Sequence, residues 1–166
     1  RDAHLHLRLI ADNGPSSGTP FAQIRELDPK KFDYLCLGVA DESNTQALMN
    51  RAREWNVNIV ADHALIADKM AANNAIDALI ARSELIYLTI DIDVLPHYQA
   101  PGVSAPAARG VPLATIEYLV DYILSQSERS GRPCPLTDIV ELSPYNDPQN
   151  VTAKSAALLV RRMLFA

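Results

Sequence analysis

An apolar run, Leu85-Ile86-Tyr87-Leu88-Thr89-Ile90, drives into Asp91-Ile92-Asp93 and breaks at Pro96. Its length and its β-branched and aromatic content predict a parallel strand buried on both faces. Shorter runs predict strands at Tyr34 to Val39 and Val57 to Val60. Thr137-Asp138-Ile139-Val140-Glu141-Leu142 predicts another, with Glu141 near its end. Residues 2 to 10 alternate polar and apolar as far as Leu9. Asp2, His4, His6 and Arg8 fall on one face of a predicted strand and Ala3, Leu5, Leu7 and Leu9 on the other. Helical spacing predicts a helix with Ser43 or Asn44 as N-cap and Leu48, Ala52 and Trp55 inward. It predicts a second over 70–82 with Met70, Ile76, Leu79 and Ile80 apolar. A third carries Ile116, Leu119, Val120, Ile123 and Leu124 and ends near Gly131. A fourth, over about 151–164, is expected to bury Ala156, Val160, Met163 and Leu164. Residues 11–22 read as a loop. So do residues 96–112, where four prolines and two glycines imply stiffness. Strands alternating with helices place the chain in the α/β class, as one domain over 1–166 with a mainly parallel sheet.

Composition changes this picture little. The 166 residues are 48% hydrophobic and 21% charged, enough for one domain with a real core. A formal charge of -5 without a Lys/Arg cluster argues against a nucleic-acid partner. No apolar run reaches the ~18 residues of a membrane span, and no signal peptide is visible. Cys36 and Cys134 stand in neither metal nor disulfide spacing and read as reduced thiols of a cytoplasmic protein. The chain opens Arg1-Asp2-Ala3-His4, inside the first predicted strand, so it is expected to be a fragment.

The chemistry enters through acidic residues at strand ends. Asp91 and Asp93 share a face where a buried strand should finish, and two converging carboxylates repel unless a cation joins them. Strand ends are also where open α/β sheets bind ligands. The row Asp2, His4, His6 fits either a wet strand face or a set of ligands converging on one point, and Glu141 marks a third acidic strand end. Carboxylate with imidazole and no thiolate suits Mn, Fe(II) or catalytic Zn. Two metals sharing a bridging carboxylate make hydroxide available near neutral pH, which points to hydrolysis. Arg8, on the same face, has the bidentate fork that carboxylate substrates take, but a plain surface arginine fits equally. His97, Tyr98 and Tyr145 sit in loops and read more simply as surface residues, and His63 has no role.

These motifs resemble those of the ureohydrolase (arginase/agmatinase) superfamily. Asp2-Ala3-His4-Leu5-His6 is similar to its Asp-Ala-His-x-Asp motif. Thr89-Ile90-Asp91-Ile92-Asp93, with Pro101-Gly102 and Pro106, resembles its second metal motif, and Glu141-Leu142-Ser143-Pro144 its Glu-x-x-Pro. Ser17-Gly18-Thr19-Pro20-Phe21, Leu37-Gly38-Val39 with Asn44-Thr45, and Pro101 to Gly110 resemble the formimidoylglutamase branch, which like this chain has no Asp-Pro where Pro96-His97 stands. The resemblance implies a three-layer arginase-like fold lacking its N-terminal part. It implies two Mn2+ ions bridged by Asp2 and Asp91, with His4 and Asp93 on one ion and position 6 on the other. It implies Glu141 gripping the amidine N–H groups of a small-molecule substrate, with homo-oligomers possible in the family. The reaction implied is N-formimidoyl-L-glutamate plus water to L-glutamate and formamide, a step of histidine degradation. Guanidino hydrolysis, or a non-catalytic homologue, stands as the alternative. The family places aspartate where this chain has His6, which lowers the site's negative charge by one, and it draws a further histidine ligand from an upstream segment.

Overall fold

The apolar run ending in the two aspartates is the strand β3 (Tyr87–Asp91), paired in parallel with β4 (Leu136–Val140) in a register that sets Asp91 opposite Val140. The computed structural model describes residues 3–12 and 14–165; the predicted ligand Asp2 lies outside the described residues. Two further strands, β1 (Leu35–Val39) and β2 (Asn58–Ala61), also pair in parallel, with an irregularity between Leu37 and Val39. Among the described residues the strands form two separate two-stranded sheets, β1 with β2 and β3 with β4. The side chains explain why β3 is central. Leu88, Ile90, Ile92, Val94 and Leu95 are all buried, and they join Ile76 and Ile80 with Ile116, Leu119 and Val120 in the main core. Tyr87, at the strand's outer end, donates its hydroxyl to Asp138 of β4 at 2.6 Å. Burial and that hydrogen bond push the phenol up to about 12.

Among the described residues six α-helices cover the strands: α1 (Pro20–Leu27), α2 (Gln46–Glu54), α3 (Asp62–Ala67), α4 (Met70–Arg82), α5 (Leu113–Ser130) and α6 (Val151–Phe165). α5 ends at Gly131 in the left-handed conformation, whose N–H returns to Glu128 and Ser127. α1 and α3 were not expected. α1 begins inside the predicted 11–22 loop, with Pro20 in its first turn, where a missing N–H costs nothing. α2 is capped by Thr45, which accepts from the Leu48 N–H at 3.3 Å, and not by Ser43 or Asn44. The Asn44 side chain is engaged elsewhere. Val160 and Leu164 of α6 are exposed, as is Met70; α6 buries Ala156 as expected, together with Thr152, Ser155 and Leu159.

The predicted first strand is corrected. Residues 3–10 have no strand pairing, and His6 lies at φ 47°, in the left-handed region no strand uses. The alternation still holds as far as Leu7: Ala3, Leu5 and Leu7 are buried, and His4 and His6 are half-buried. Side chains take the place of a strand neighbour. Asn44 accepts from the Leu5 N–H at 3.0 Å and donates to the Ala3 carbonyl at 2.8 Å, and Arg51 donates to the Leu7 carbonyl at 2.8 Å.

Candidate metal centre

Two segments meet at the carboxyl end of β3. Asp91 closes the strand, and its carboxylate accepts from the Asp93 N–H at 3.0 Å, turning Ile92–Val94 into one 3-10 turn. Asp91 and Asp93 are 2% and 3% exposed. Opposite them runs the 3–8 segment. His4 Nδ1 stands 3.0 Å from Asp93 Oδ2, and His6 Nε2 stands 3.2 Å from Asp91 Oδ2. The two imidazoles are 6.1 Å apart and edge-on. Burial pushes the Asp91 carboxyl up, His6 pulls it back down, and the neighbouring Asp93 charge adds to the rise.

The orientation of His6 is fixed from behind. Its Nδ1 lies within hydrogen-bond reach of the Ser17 carbonyl, which can only accept, so Nδ1 carries a proton. Nε2 then turns either a lone pair or a second proton toward Asp91. A lone pair facing a carboxylate at 3.2 Å is repelled unless a cation or a proton joins them. Asp91 Oδ2 and Asp93 Oδ1 are buried without a hydrogen-bond partner among the described residues. Ligand atoms about 2.1 Å from a first-row ion and at right angles lie ~3 Å apart, which is the spacing of both contacts. Donor type and spacing therefore fit a divalent cation. Each contact gathers two donors, and among the described residues no three His, Cys, Asp or Glu groups gather closely enough to complete a site.

Around these pairs the other predicted residues converge. His4, His6, Arg8, Asp93, Ser104 and Glu141 line one cavity of about 230 Å³. His6, Asp91 and Glu141 also line its neighbour, beside Phe21 and Tyr34. Glu141 follows β4 directly at φ 65°, a strained setting for a non-glycine residue, and Ser104 donates to its carboxylate at 3.4 Å. The stiffness expected of residues 96–112 has visible sources. Val111 N–H bonds the Val94 carbonyl at 2.7 Å, and Gly110 passes so close to Pro96 that a Cβ would lie 2.2 Å from its nitrogen. Arg109 bonds both oxygens of the buried Asp62 at 2.8 Å, tying the loop to α3. His97, Tyr98 and Tyr145 are exposed and line neither site cavity, and His63 points its ring at Asp62 from the surface.

The sequence matches the arginase family over residues 1–166. The chain belongs to the arginase family. Among curated arginase-family relatives, the formimidoylglutamase of Aeromonas hydrophila is 46% identical over 98% of this chain and 51% of its own length. The formimidoylglutamase structure from Bacillus subtilis superposes with a TM-score of 0.88 at 28% identity, covering 98% of this chain and 50% of that one. A Trypanosoma cruzi formiminoglutamase solved with Mn2+ superposes with a TM-score of 0.76 at 20% identity, over 98% of this chain and 54% of that one. The chain thus has the arginase fold with parallel strands, and spans about half the length of the curated relatives it matches.

Sequence reasoning named the ligand candidates but missed what orients them. Asn44, Ser17 and Arg51 hold the 3–8 segment, and the Asp62–Arg109 pair holds the opposing loop. Ser17, Asn44 and Arg109 carried a signal as members of the branch-specific motifs, whereas Arg51 and Asp62 carried none.

Proposed function

We propose that this chain carries the cation- and substrate-gripping half of a manganese-dependent hydrolase of linear amidine C–N bonds, of the formimidoylglutamase type. The observation that carries the reading is the double contact of His4 with Asp93 and His6 with Asp91, on the wall of a cavity that also holds Glu141 and Arg8. His4, His6, Asp91 and Asp93 would hold the ions, with Asp2 as the expected bridging ligand. When bound, two such ions supply a water ionised near neutral pH.

The chain's own residues do the rest. Glu141, acceptor-only when ionised, takes the N–H groups of the formimidoyl unit and holds its positive charge against the cavity wall. Arg8 forks onto a substrate carboxylate at the mouth. Water adds to the formimidoyl carbon and the C–N bond to the glutamate nitrogen breaks, giving L-glutamate and formamide. A cation lining the cavity favours this dicarboxylate, net anionic even with its amidinium charged, over cationic agmatine or arginine, the alternative for the same ligand set.

The test is Mn2+ titration followed by elemental analysis of the chain and its Asp91→Ala and Asp93→Ala variants. Mn2+ retained in the parent and lost in both variants supports the assignment; stoichiometric Mn2+ in either variant defeats it. A panel of formimidoylglutamate, agmatine and arginine, read as formamide against urea in the protein paired with its complementary half, separates the substrate classes.

A further inference from the structure

His6 and Arg8 both lean on one turn. The Thr19 N–H bonds the Ser16 carbonyl at 3.0 Å and closes residues 16–19. Inside that turn the Ser17 carbonyl holds His6 Nδ1, and the next carbonyl, Gly18, accepts from the Arg8 N–H at 2.9 Å. Gly18 also carries the Arg8 side chain. A Cβ on Gly18 would stand 2.8 Å from Arg8 Cδ and 3.3 Å from its Nε, so the stem of the guanidinium lies flat on the bare glycine. A shift of the whole turn therefore moves the imidazole and the guanidinium together, whereas a bump on Gly18 moves only the guanidinium.

Thr19 locks the turn from beneath. It is 2% exposed and lines neither site cavity. A hydroxyl has one proton to give and two lone pairs to offer, and Thr19 uses all three. Its Oγ1 donates to the Ser16 carbonyl at 2.8 Å and accepts from the Ser16 N–H at 3.1 Å and from Gln23 Nε2 at 2.7 Å. Gln23 belongs to α1, and α1 is fastened in turn by Phe21, which stacks on Tyr34 with the ring centroids 4.3 Å apart.

Taking His6 and Arg8 in the roles proposed above, we infer that Thr19 is the positioning residue for both: through the 16–19 turn its buried hydroxyl aims the imidazole at the cation and the guanidinium at the substrate carboxylate. Groups that orient a metal-facing imidazole from behind typically carry 10- to 100-fold in metal affinity. Here the same turn orients a second group for a different partner, so one hydroxyl governs two affinities.

The experiment compares the 166-residue chain with Thr19→Val, Thr19→Ser, Gly18→Ala and Gln23→Met. The probes are Mn2+ and glutarate, a dicarboxylate without the amidine, each titrated by calorimetry. Nitrogen NMR of histidine-labelled, metal-free protein follows the His6 Nδ1 proton. Thr19→Val keeps the shape and deletes three hydrogen bonds. It should weaken Mn2+ and glutarate about 10-fold each and open the Nδ1 proton to fast exchange with water. Thr19→Ser returns the hydroxyl and should restore all three readings. Gly18→Ala should weaken glutarate alone. The inference is overturned if Thr19→Val matches the parent, if Thr19→Ser does not restore what Thr19→Val loses, or if Gly18→Ala weakens both probes equally. Gln23→Met removes one of the three bonds and should weaken both probes to a smaller extent. It decides the matter if Thr19→Val misfolds, and unchanged affinities then overturn the inference. A parent chain that binds no Mn2+ defeats the metal reading, and the glutarate and Nδ1 readings still judge Thr19.

Discussion

The two segments that face each other across the candidate metal centre are built on opposite plans. Asp91 and Asp93 sit at the end of a strand whose every ladder position is matched by β4, and apolar neighbours on both sides are fully enclosed. His4 and His6 sit on a segment with no strand pairing, one of them at a left-handed φ, held by the side chains of Asn44 and Arg51 and the carbonyls of Gly18 and Ser17. The carboxylates are placed by the hydrophobic core, and the imidazoles by polar tethers added to the packing of Leu5 and Leu7 beneath them. A side chain placed by packing moves only when the core moves, whereas one that also relies on tethers loosens locally when a tether is removed.

The sharpest way to break this contrast is to attack each plan separately. Ile90→Ala removes a fully buried side chain from the core cluster beneath Asp91 and should cost about 2–5 kcal/mol of global stability. Urea denaturation should show the loss as a lower midpoint in one transition, with the carboxylate and imidazole sides failing together. An Ile90→Ala chain as stable as the parent would show that β3 is not what holds the aspartates.

Asn44→Ala is the matching change on the other side. It deletes the acceptor for Leu5 N–H and the donor for the Ala3 and Ala40 carbonyls, three hydrogen bonds in all. The expected cost is about 1–3 kcal/mol, concentrated locally. Hydrogen exchange should accelerate at residues 4–8 and leave β3 unchanged, and Mn2+ affinity should fall further than global stability does. Uniform acceleration across both segments would refute the division into packed and tethered sides. His6→Asp sharpens the same point with a smaller expected effect: it restores the family's carboxylate, so Mn2+ affinity should rise while the denaturation midpoint moves little, as read by parallel titration and urea melts.

These unequal plans also explain what could be read from residues alone. β3, α4, α5 and α6 were readable because apolar periodicity reports packing, and packing built them; β4, none of whose residues is fully buried, was readable from its short run of strand-forming residues. Residues 3–8 show the same period of two without being a strand, because alternate burial needs only one apolar surface beneath, here Cys36, Val39 and Leu48. Periodicity cannot tell a laddered backbone from a tethered one. The ligand candidates were readable as residue types at strand ends, and Asp91, Asp93, His4, His6, Arg8 and Glu141 do line adjoining cavities. Their tethers were not, since Asn44 lies 39 residues from Leu5 and the partner of a backbone amide leaves no pattern at that separation. The split of the strands into two pairs was equally invisible: each strand's own sequence states that it is buried and is silent about which strand lies beside it.

The smallest expected effect concerns a tether on the packed side. Asp147 accepts from the backbone N–H groups of Thr152 and Ala153 at 2.8 and 2.9 Å, capping α6, and the Thr152 hydroxyl in turn accepts from Gly102 N–H in the site loop at 2.7 Å. Gly102 packs so closely that a Cβ would stand 2.4 Å from the Asp147 Cβ. Burial works to raise the Asp147 carboxyl, but the two N–H donors outweigh it and hold the group below its ordinary value. A depressed carboxyl contributes stability that is fully present above the unfolded-state value, ~3.9, and is lost as pH falls through the lower folded-state value. Asp147→Asn keeps one acceptor and removes the charge at the start of α6, so it should cost about 0.3–1 kcal/mol at pH 7. The gap between parent and variant should close progressively below pH ~4, as the parent's own carboxyl protonates. Urea midpoints at pH 7, 5 and 3 measure this directly. A gap that persists unchanged at pH 3 would mean that the side chain acts through shape alone, and that the loop bearing Ser104 is anchored to α6 without help from the helix's own charge.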